Sequence, residues 1–544
     1  MLAGTPVILL REGTERAQGM DAQKEIIRAA RAVADSIRST LGPRGSDKML
    51  VDSLGDVVIT NDGATILQKM EVQHPAAKML VEVAKAQDQE CGDGTKTSVI
   101  LVGELLRRAE GLMEEKVHPT IITRGYQMAA EKALEVLRSI GRPVGLADTE
   151  LLRRIAMTSM ISKGVSGYRT DLATLAVRAV TEVIDERDGG FRFDRKNIQI
   201  VKRQGGDIPD SEVVEGHIVE QAAVHPDMPK LVTNARIALV EAPIEVKKTE
   251  FTSEIRITEA SQVQGFLDEE ARMVQSMVDA IVRSGANVVF SEKGIDDVAA
   301  EHLAKAGVYA VRRAKRTDLE LLARATGARL VARPVDIGSD DLGRSGRVEE
   351  RKIGDDRLTV VTDCPHARAV TLLVRGGSQH VVDEVERSLE DAIMTVGIAL
   401  EDGQLVTGAG AAAVELASRL REFAVTVGGR EQMAVEAFAN ALEVIPLTLA
   451  ENAGMDTIDA LIELRRLHKA GDVHVGVNVL EGRISRMDDV AVEPLRVDRQ
   501  VILSATEASV MLLRIDDVVS SRRAASGGPT PQPPASPMPG EAYA

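Results

Sequence analysis

The stretch from Glu90 to Ser98, Glu-Cys-Gly-Asp-Gly-Thr-Lys-Thr-Ser, constrains the fold more than any other part of the chain. Gly92 and Gly94 permit a tight turn and a close approach of the backbone to a ligand. An apolar run that predicts a helix follows at once, and the N-terminus of a helix favours bound phosphate. Asp93 would repel bare phosphate, but it suits a Mg²⁺ ion that holds phosphate oxygens. The stretch therefore predicts a Mg-nucleotide site, but not a Walker loop, because its sequence does not match the motif GxxxxGK[ST]. An ordinary glycine turn that caps a helix has the same pattern and stays an alternative.

A second acidic glycine turn lies upstream. Lys48–Asp52 and Val57–Thr60 are typical of the two strands of a β-hairpin, and Asn61–Gly63 follows before another predicted helix. A glycine-proline turn, Leu41–Pro43, precedes the hairpin. Each turn alone fits a capped helix. Together they indicate a phosphate and metal site that is assembled from separate parts of the chain.

Bulk properties exclude several classes of protein. The chain has 544 residues, too many for one core, so about three domains are expected. A net charge of −16 argues against binding to nucleic-acid backbones. The two cysteines, Cys91 and Cys364, exclude a disulfide scaffold and fit a reducing compartment. Because no apolar run of membrane-spanning length and no signal peptide is evident, we expect a cytoplasmic, soluble protein without a membrane or nucleic-acid partner.

The middle and the ends of the chain have other patterns. Strands and helices alternate from about residue 215 to 366, which predicts a small α/β layer domain. Within it, 246–284 carries apolar residues at helical spacing among many acidic ones; its second half predicts a packed amphipathic helix, and 247–257 predicts an exposed tip. Short strands are expected at 5–10 and 510–519. The Pro-rich end of the chain is expected to be disordered.

Three motifs carry a resemblance to a known family. Leu41–Leu50 (LGPRGSDKML), Val58–Leu67 (VITNDGATIL) and Gly92–Thr95 (GDGT) resemble the nucleotide-binding motifs of group II chaperonins, which are the thermosomes of archaea and the related subunits of the eukaryotic cytosol. The resemblance extends over roughly 5–520. The motifs are long and specific to that family.

The resemblance implies a multidomain α+β fold. It comprises a mostly helical equatorial ATPase domain, an α/β intermediate hinge domain, and an α/β apical domain with a helical protrusion. The first two domains are each built from two separated stretches of chain. The expected boundaries are 1–147 and 402–524 for the equatorial domain, 148–215 and 368–401 for the intermediate domain, 216–367 for the apical domain with its protrusion at about 246–284, and 525–544 for a disordered tail.

The function that the resemblance implies is that of an ATP-dependent chaperone subunit in a double ring. Binding and hydrolysis of Mg-ATP would close a built-in lid over an unfolded client polypeptide. The implied partners are such clients and further copies of the chain or paralogous subunits. A ring subunit with weak or absent ATPase activity, in a structural or regulatory role, is the alternative. The inserted acidic α/β domain argues against a phosphotransferase, or another ATPase, that is unrelated to protein folding.

The resemblance also implies roles for particular residues. Asp391 would position or deprotonate the attacking water with help from Asp62, and Lys163 would reach the γ-phosphate when the hinge closes. Asp93 would hold Mg²⁺. Judged without the resemblance, Asp391 and Lys163 would be solvated side chains. The implied nucleotide-binding residues are Thr40, Leu41, Gly42, Pro43, Asn61, Gly63, Gly94, Thr95, Lys96, Thr97, Gly408, Ala409, Gly410, Gly476, Asn478 and Glu493, the last of these at the ribose hydroxyls.

Two positions depart from the family pattern. Lys96 stands where the family has the second of three threonines. Its ammonium group would either lie beside the phosphates, which would tighten ADP binding and slow turnover, or point into solvent without effect. Ala409 replaces the middle one of three glycines. Backbone contacts to the nucleotide would then survive only if residue 409 needs no positive φ.

Overall fold

The computed structural model describes residues 14–51, 55, 57–70, 72–187, 189–245, 260–354, 356–365 and 369–521. The strand expected at 5–10, the exposed tip expected at 247–257 and the tail expected at 525–544 lie outside these residues. The described chain forms three bodies, each with its own apolar core. The fold is therefore multidomain α+β, as the sequence predicted.

The N-terminal part of the chain begins the first body. Its elements are β1 (Thr14–Gln18), α1 (Gly19–Arg38), β2 (Lys48–Val51), β3 (Val57–Thr60), α2 (Gly63–Lys69), α3 (Pro75–Cys91), α4 (Thr95–Glu114), α5 (Pro119–Ile140) and β4 (Arg142–Pro143). The predicted hairpin is present, because β2 and β3 pair antiparallel. In α1 the residues at helical spacing, among them Ile26, Val33 and Ile37, are buried.

The next elements belong to two further bodies. They are α6 (Thr149–Ser159), α7 (Arg169–Val183), β5 (Asp185–Arg187), β6 (Gly190–Arg192), β7 (Ile198–Gln204), β8 (Glu212–Val214), β9 (Gly216–Val219), β10 (Leu231–Val240), α8 (Ala260–Ser284), β11 (Val288–Ser291), α9 (Asp297–Lys305), β12 (Tyr309–Val311), α10 (Arg316–Thr326), β13 (Leu330–Val331), β14 (Gly343–Ile353), β15 (Asp356–Thr362), β16 (Val370–Gly376) and α11 (Gln379–Asp402). We call α6, α7, α11 and the sheet β7–β16–β8 the linking body.

The sheet body is the mixed seven-stranded sheet with α8, α9 and α10 on it. Its strand order is β12–β11–β10–β14–β15–β9, and β13 also pairs with β10. Parallel pairing joins β10, β11 and β12, as the predicted alternation of strands and helices requires. The C-terminal half of α8 buries Val274, Val278 and Ile281 against the sheet, which confirms the predicted packed helix.

The chain then returns to the first body. Its last elements are β17 (Gln404–Thr407), α12 (Ala411–Val427), α13 (Gly429–Leu442), α14 (Val444–Asn452), α15 (Thr457–Lys469), β18 (Val475–Asn478), β19 (Arg483–Arg486), β20 (Val492–Pro494), α16 (Leu495–Leu513) and β21 (Asp517–Ser521). Helices from both ends of the chain share one apolar cluster. We call α1–α5 together with α12–α16 the helical body.

The strand expected at 510–519 is wrongly placed. Val510 and Leu512 lie in α16, where both are buried in the shared apolar cluster. The last strand is β21, and it pairs antiparallel with β1. The apolar residues before 514 thus form the buried face of a helix. A short apolar run fits a buried helix and a buried strand equally well.

One apolar segment contradicts the expectation that no run is long enough to span a membrane. Residues 429–452, which form α13 and α14, pass that test by length and composition. However, 72% of the most apolar window is buried inside the fold. The segment is therefore accounted for as a core element of the helical body.

Truncation of Phe438 should destabilise the helical body. Its ring packs edge-on against Tyr126, with centroids 5.6 Å apart, so α13 and α5 are joined by a buried aromatic pair. We expect Phe438→Ala to lower the free energy of unfolding by about 3–5 kcal/mol, because it leaves a cavity. The measurement is urea unfolding followed by circular dichroism. Val425→Ala is the control, since that side chain is 72% exposed, and an equal loss in both variants would contradict the prediction.

Candidate functional site

Two cavities meet at Asp93. The larger, about 160 Å³, lies within the helical body and reaches the linking body at its rim. The smaller, about 30 Å³, lies between the helical body and the linking body. Asp93 lines both of them. The acidic glycine turn singled out in the sequence therefore forms a wall that the two cavities share.

The turn at Asp93 packs against α3 and α16. Gly92 and Gly94 both adopt left-handed conformations, with φ of 67° and 80°, and close α3 and open α4. A side chain at Gly94 would lie 2.8 Å from Nε2 of Gln87 and 2.9 Å from Val497. The buried Gln87 amide donates to the carbonyl oxygen of Asp93 at 2.9 Å. The sequence thus places a carboxylate at a turn that only glycines can build.

The second acidic turn opens α2 beside the first. Asp62 is the N-cap residue, and its carboxylate accepts a hydrogen bond from the backbone N–H of Thr65 at 2.7 Å. Burial acts to raise the pKa of Asp62. The positive charges of Lys163 and Lys96, with the Thr65 N–H, outweigh burial, so the net effect is a lowered pKa. Asp62 is therefore an ionised carboxylate in the smaller cavity.

The linking body contributes Lys163 and Asp391 to the smaller cavity. Lys163 follows α6, Asp391 lies on α11, and the lysine Nζ donates to Oδ2 of the aspartate and to the carbonyl oxygen of Arg387. Burial lowers the pKa of Lys163, but Asp391 and Asp62 reverse this, and the pKa is raised. Burial raises the pKa of Asp391 well above its usual value, although Lys163 opposes the rise. Two ionisable groups from the linking body thus share the smaller cavity with Asp62 and Asp93.

The larger cavity has an apolar part and an acidic part. Apolar side chains from α14, from β18 and from the segment that follows β18 line much of its wall, which suits a flat, uncharged ring system. Glu493 and Asp498 lie at the other part. Burial and the neighbouring Asp498 raise the pKa of Glu493 well above its usual value, and burial raises the pKa of Asp498 to about 7.

The structure places most of the predicted site residues on the walls of these two cavities. Those on the larger cavity are Leu41, Gly42, Pro43, Asp93, Gly94, Thr97, Ala409, Gly410, Asn478 and Glu493. Those on the smaller cavity are Asn61, Asp62, Gly63, Asp93, Thr95, Lys96, Lys163 and Asp391.

The remaining three predicted residues lie behind the walls. Thr40 is buried, and its carbonyl oxygen accepts a hydrogen bond from a lysine of the smaller cavity. A side chain at Gly408 would lie 3.0 Å from Oε1 of Glu493. A side chain at Gly476 would lie 2.8 Å from the carbonyl oxygen of Ala409. These positions support the wall residues and do not line the two cavities themselves.

Ala409 does not meet the condition set from the sequence. Its φ is +57°, which is left-handed, and its carbonyl oxygen accepts a hydrogen bond from the N–H of Val477 at 3.0 Å. An L-residue tolerates this conformation at a cost of about 1–2 kcal/mol. The loop therefore keeps a path with positive φ although it lacks the middle glycine.

Lys96 does not follow the second of the two courses considered from the sequence, in which its side chain points into solvent. Its Nζ donates to the carbonyl oxygen of Thr40 at 3.0 Å and to Oδ1 of Asn61 at 2.6 Å. The side chain is thus turned inward at the wall of the smaller cavity, and burial lowers its pKa to about 8 although Asp62 opposes this. It does not point into solvent.

Sequence reasoning missed several residues of the site. Thr158 and Ile161 line the larger cavity from the linking body, and Ser162 lines the smaller one. The only feature of the sequence that could have indicated these residues is their position shortly before Lys163. Asp498 lies one turn into α16, shortly after Glu493, and its Oδ2 is buried without a hydrogen-bond partner in the described structure.

The donor set fits a divalent cation only if a ligand completes it. No group of three or more His, Cys, Asp or Glu side chains that could hold a metal ion occurs among the residues described. Asp93 supplies one carboxylate, and the nearby hydroxyl of Thr95 is a further oxygen donor. Such a sparse set suits Mg²⁺, which commonly binds through one or two carboxylates together with substrate phosphates and water.

Comparison with known proteins identifies the family. The sequence matches the profile of the TCP-1/cpn60 chaperonin family over residues 33–523. It is 54% identical to thermosome subunit beta of Archaeoglobus fulgidus over 522 residues, which covers 96% of each chain. It is also 54% identical to a thermosome subunit of Methanopyrus kandleri over 525 residues, again with 96% of each chain covered.

A solved structure agrees with this result. The open-state monomer of a group II chaperonin from Methanococcoides burtonii matches with a TM-score of 0.61 and 43% sequence identity, covering 78% of this chain and all of that one. The similarity in sequence extends over the motifs that build both cavities. The chain therefore belongs to the TCP-1/cpn60 chaperonin family and is a group II chaperonin subunit of the thermosome type.

Proposed function

We propose that this chaperonin subunit binds Mg-ATP in the two joined cavities and hydrolyses it as part of a double ring. The observation that carries the proposal is the smaller cavity, where Asp62 and Asp93 of the helical body face Lys163 and Asp391 of the linking body. Hydrolysis in such a site depends on how two bodies of the chain meet. A coupling between chemistry and movement follows from that arrangement.

The three bodies correspond to three domains in this proposal. The helical body is the equatorial domain, 1–147 with 402–524, because both ends of the chain share its core. The linking body is the intermediate domain, 148–215 with 368–401. The sheet body is the apical domain, 216–367.

The nucleotide lies with its base in the apolar part of the larger cavity. Glu493 accepts hydrogen bonds from the ribose hydroxyls. The phosphates reach the N-termini of α2 and α4, where free N–H groups and the helix dipole favour negative charge. Asp93, which lines both cavities, would hold Mg²⁺. When bound, the ion draws charge from the phosphate oxygens.

Asp391 is the group that positions the attacking water and accepts its proton. The smaller cavity, about 30 Å³, has room for a water molecule beside its carboxylate. A pKa raised by burial makes this carboxylate a stronger base than one in solvent. Lys163 is hydrogen-bonded to it and turns to the γ-phosphate when the nucleotide is bound. Asp62 helps to hold the water.

The output is the enclosure of unfolded client polypeptides by closure of the domains. Support comes from the relatives, which are named thermosome subunits, and from the group II chaperonin in the open state. Further copies or paralogous subunits complete the ring. The cytoplasm is the proposed location, since both Cys91 and Cys364 are free thiols.

Replacement of Asp391 should slow hydrolysis strongly without loss of nucleotide binding. Asp391→Asn removes the base and keeps the shape, so we expect phosphate release to fall by about 10²- to 10⁴-fold. The measurement is phosphate release by the size-fractionated assembly, with nucleotide affinity measured in parallel. Glu390→Gln is the control, because that side chain is exposed on the same helix. A ring that forms in the wild type but never hydrolyses ATP would favour a structural or regulatory subunit instead.

Replacement of Asp93 should remove the magnesium dependence of binding. Asp93→Ala deletes the carboxylate that lines both cavities, so added Mg²⁺ should no longer tighten nucleotide binding. The expected loss of affinity in the presence of Mg²⁺ is about tenfold or more, the value of a contact to a charged group. Titration with a fluorescent ATP analogue, with and without Mg²⁺, measures it. The exposed neighbour in Glu90→Gln serves as the control, and a magnesium effect that persists in Asp93→Ala would refute the assignment.

A further inference from the structure

The ammonium group of Lys96 lies where three separate segments of the site meet. The lysine is the second residue of α4, and its Nζ donates to the carbonyl oxygen of Thr40, just after α1, and to Oδ1 of Asn61, just after β3. These segments carry the glycine-proline turn and the two acidic turns. One cation therefore joins all three.

The path of the lysine stem is fixed by packing. A side chain at Gly63 would lie 2.6 Å from Cγ of Lys96. The absence of a side chain at residue 63 thus leaves the channel through which the stem reaches Thr40 and Asn61. The position of the ammonium group is built into the fold and is not one of many conformations of a surface lysine.

The surroundings of the ammonium group consist of oxygen atoms and negative charge. Asp62, Asp93 and Asp391 all interact favourably with its charge, and Lys163 is the opposing cation. An ammonium group has three donors, of which two have the partners named above. Lys96 lines the smaller cavity, and the three carboxylates lie on the walls of the same cavity.

We propose that Lys96 is a positioning residue that acts as a tethered monovalent cation, holding the three phosphate-binding segments together and balancing the carboxylates on the walls of the smaller cavity. This inference rests on the proposed nucleotide site and deepens it. Removal of a buried cation from three carboxylates leaves uncompensated charge, which is costly in a buried site. Because the cation is covalently attached, the wild-type protein needs no dissolved one at this place.

Two variants separate the charge from the stem. Lys96→Thr removes the ammonium group and leaves a space lined by oxygen atoms, into which a free ammonium ion fits. Lys96→Met removes the charge but fills the space with an apolar stem of similar length. Lys78→Thr is the matched control, since it makes the same change on the exposed face of α3.

The experiment uses the full-length assembly in choline chloride, whose cation is too large for the space, and then replaces choline with ammonium ion at constant ionic strength. Nucleotide-free melting and affinity for a fluorescent ATP analogue are both recorded. In choline, Lys96→Thr should melt at a lower temperature than the wild type and bind nucleotide about 10- to 100-fold more weakly, as expected for the loss of hydrogen bonds made by a charged group. Ammonium ion should restore both properties in Lys96→Thr, leave Lys96→Met unrestored, and change neither the wild type nor Lys78→Thr.

The possible results are distinguishable. Unchanged melting and affinity in Lys96→Thr would overturn the inference, as would a loss that ammonium ion does not reverse. If the wild type binds no nucleotide, the proposed function fails, whereas rescue of nucleotide-free melting by ammonium ion would still support the tethered cation.

Discussion

Charged side chains withdrawn from water, at the place where the helical body meets the linking body, are the constraint on which the rest of the structure depends. Asp93, Asp391 and Lys163 are largely removed from solvent there. A buried charge is tolerated only beside an opposite one or a ligand. Lys163 pairs with Asp391 within the linking body, and its positive charge also compensates Asp62 of the helical body. The contact between the bodies is therefore sensitive to anything that adds or removes charge. Phosphate and a divalent cation are such additions.

The glycines around this cluster have a steric function that the charges require. Gly94 brings the Asp93 turn against Gln87 and Val497, and Gly63 leaves a channel for a lysine stem. In each case a side chain would collide with a neighbour. Asp62 and Asp93 can lie at the starts of α2 and α4 because the residue that follows each of them, Gly63 or Gly94, has no side chain.

The two departures from the family pattern turn out differently once the chain is folded. Ala409 adopts a left-handed conformation at a modest energetic cost. Lys96 changes the chemistry of the site, because it brings a positive charge to the oxygen atoms of Thr40 and Asn61. A threonine hydroxyl at this position would be uncharged and too short to reach both of them. One substitution is thus accommodated by the backbone, and the other places a new cation inside the site.

Much of this protein was determined by local sequence. The two acidic glycine turns, the hairpin before them, and the alternation of strands and helices in the sheet body were all predictable, because each depends on residues close together in the chain. The family resemblance added the long-range plan. The sequence did not separate a helix from a strand at 510–513, since a short apolar run fits either.

Only the tertiary structure decided the course of Lys96, the part played by Thr158 and Ile161, and the approach of Asp391 to Asp62. Each of these depends on which distant surface a side chain meets. The sequence around a lysine is the same whether its ammonium group is hydrogen-bonded to water, to phosphate or to oxygen atoms of the protein. That choice is settled by the oxygen atoms of Thr40 and Asn61, which only the fold brings within reach of the same cation.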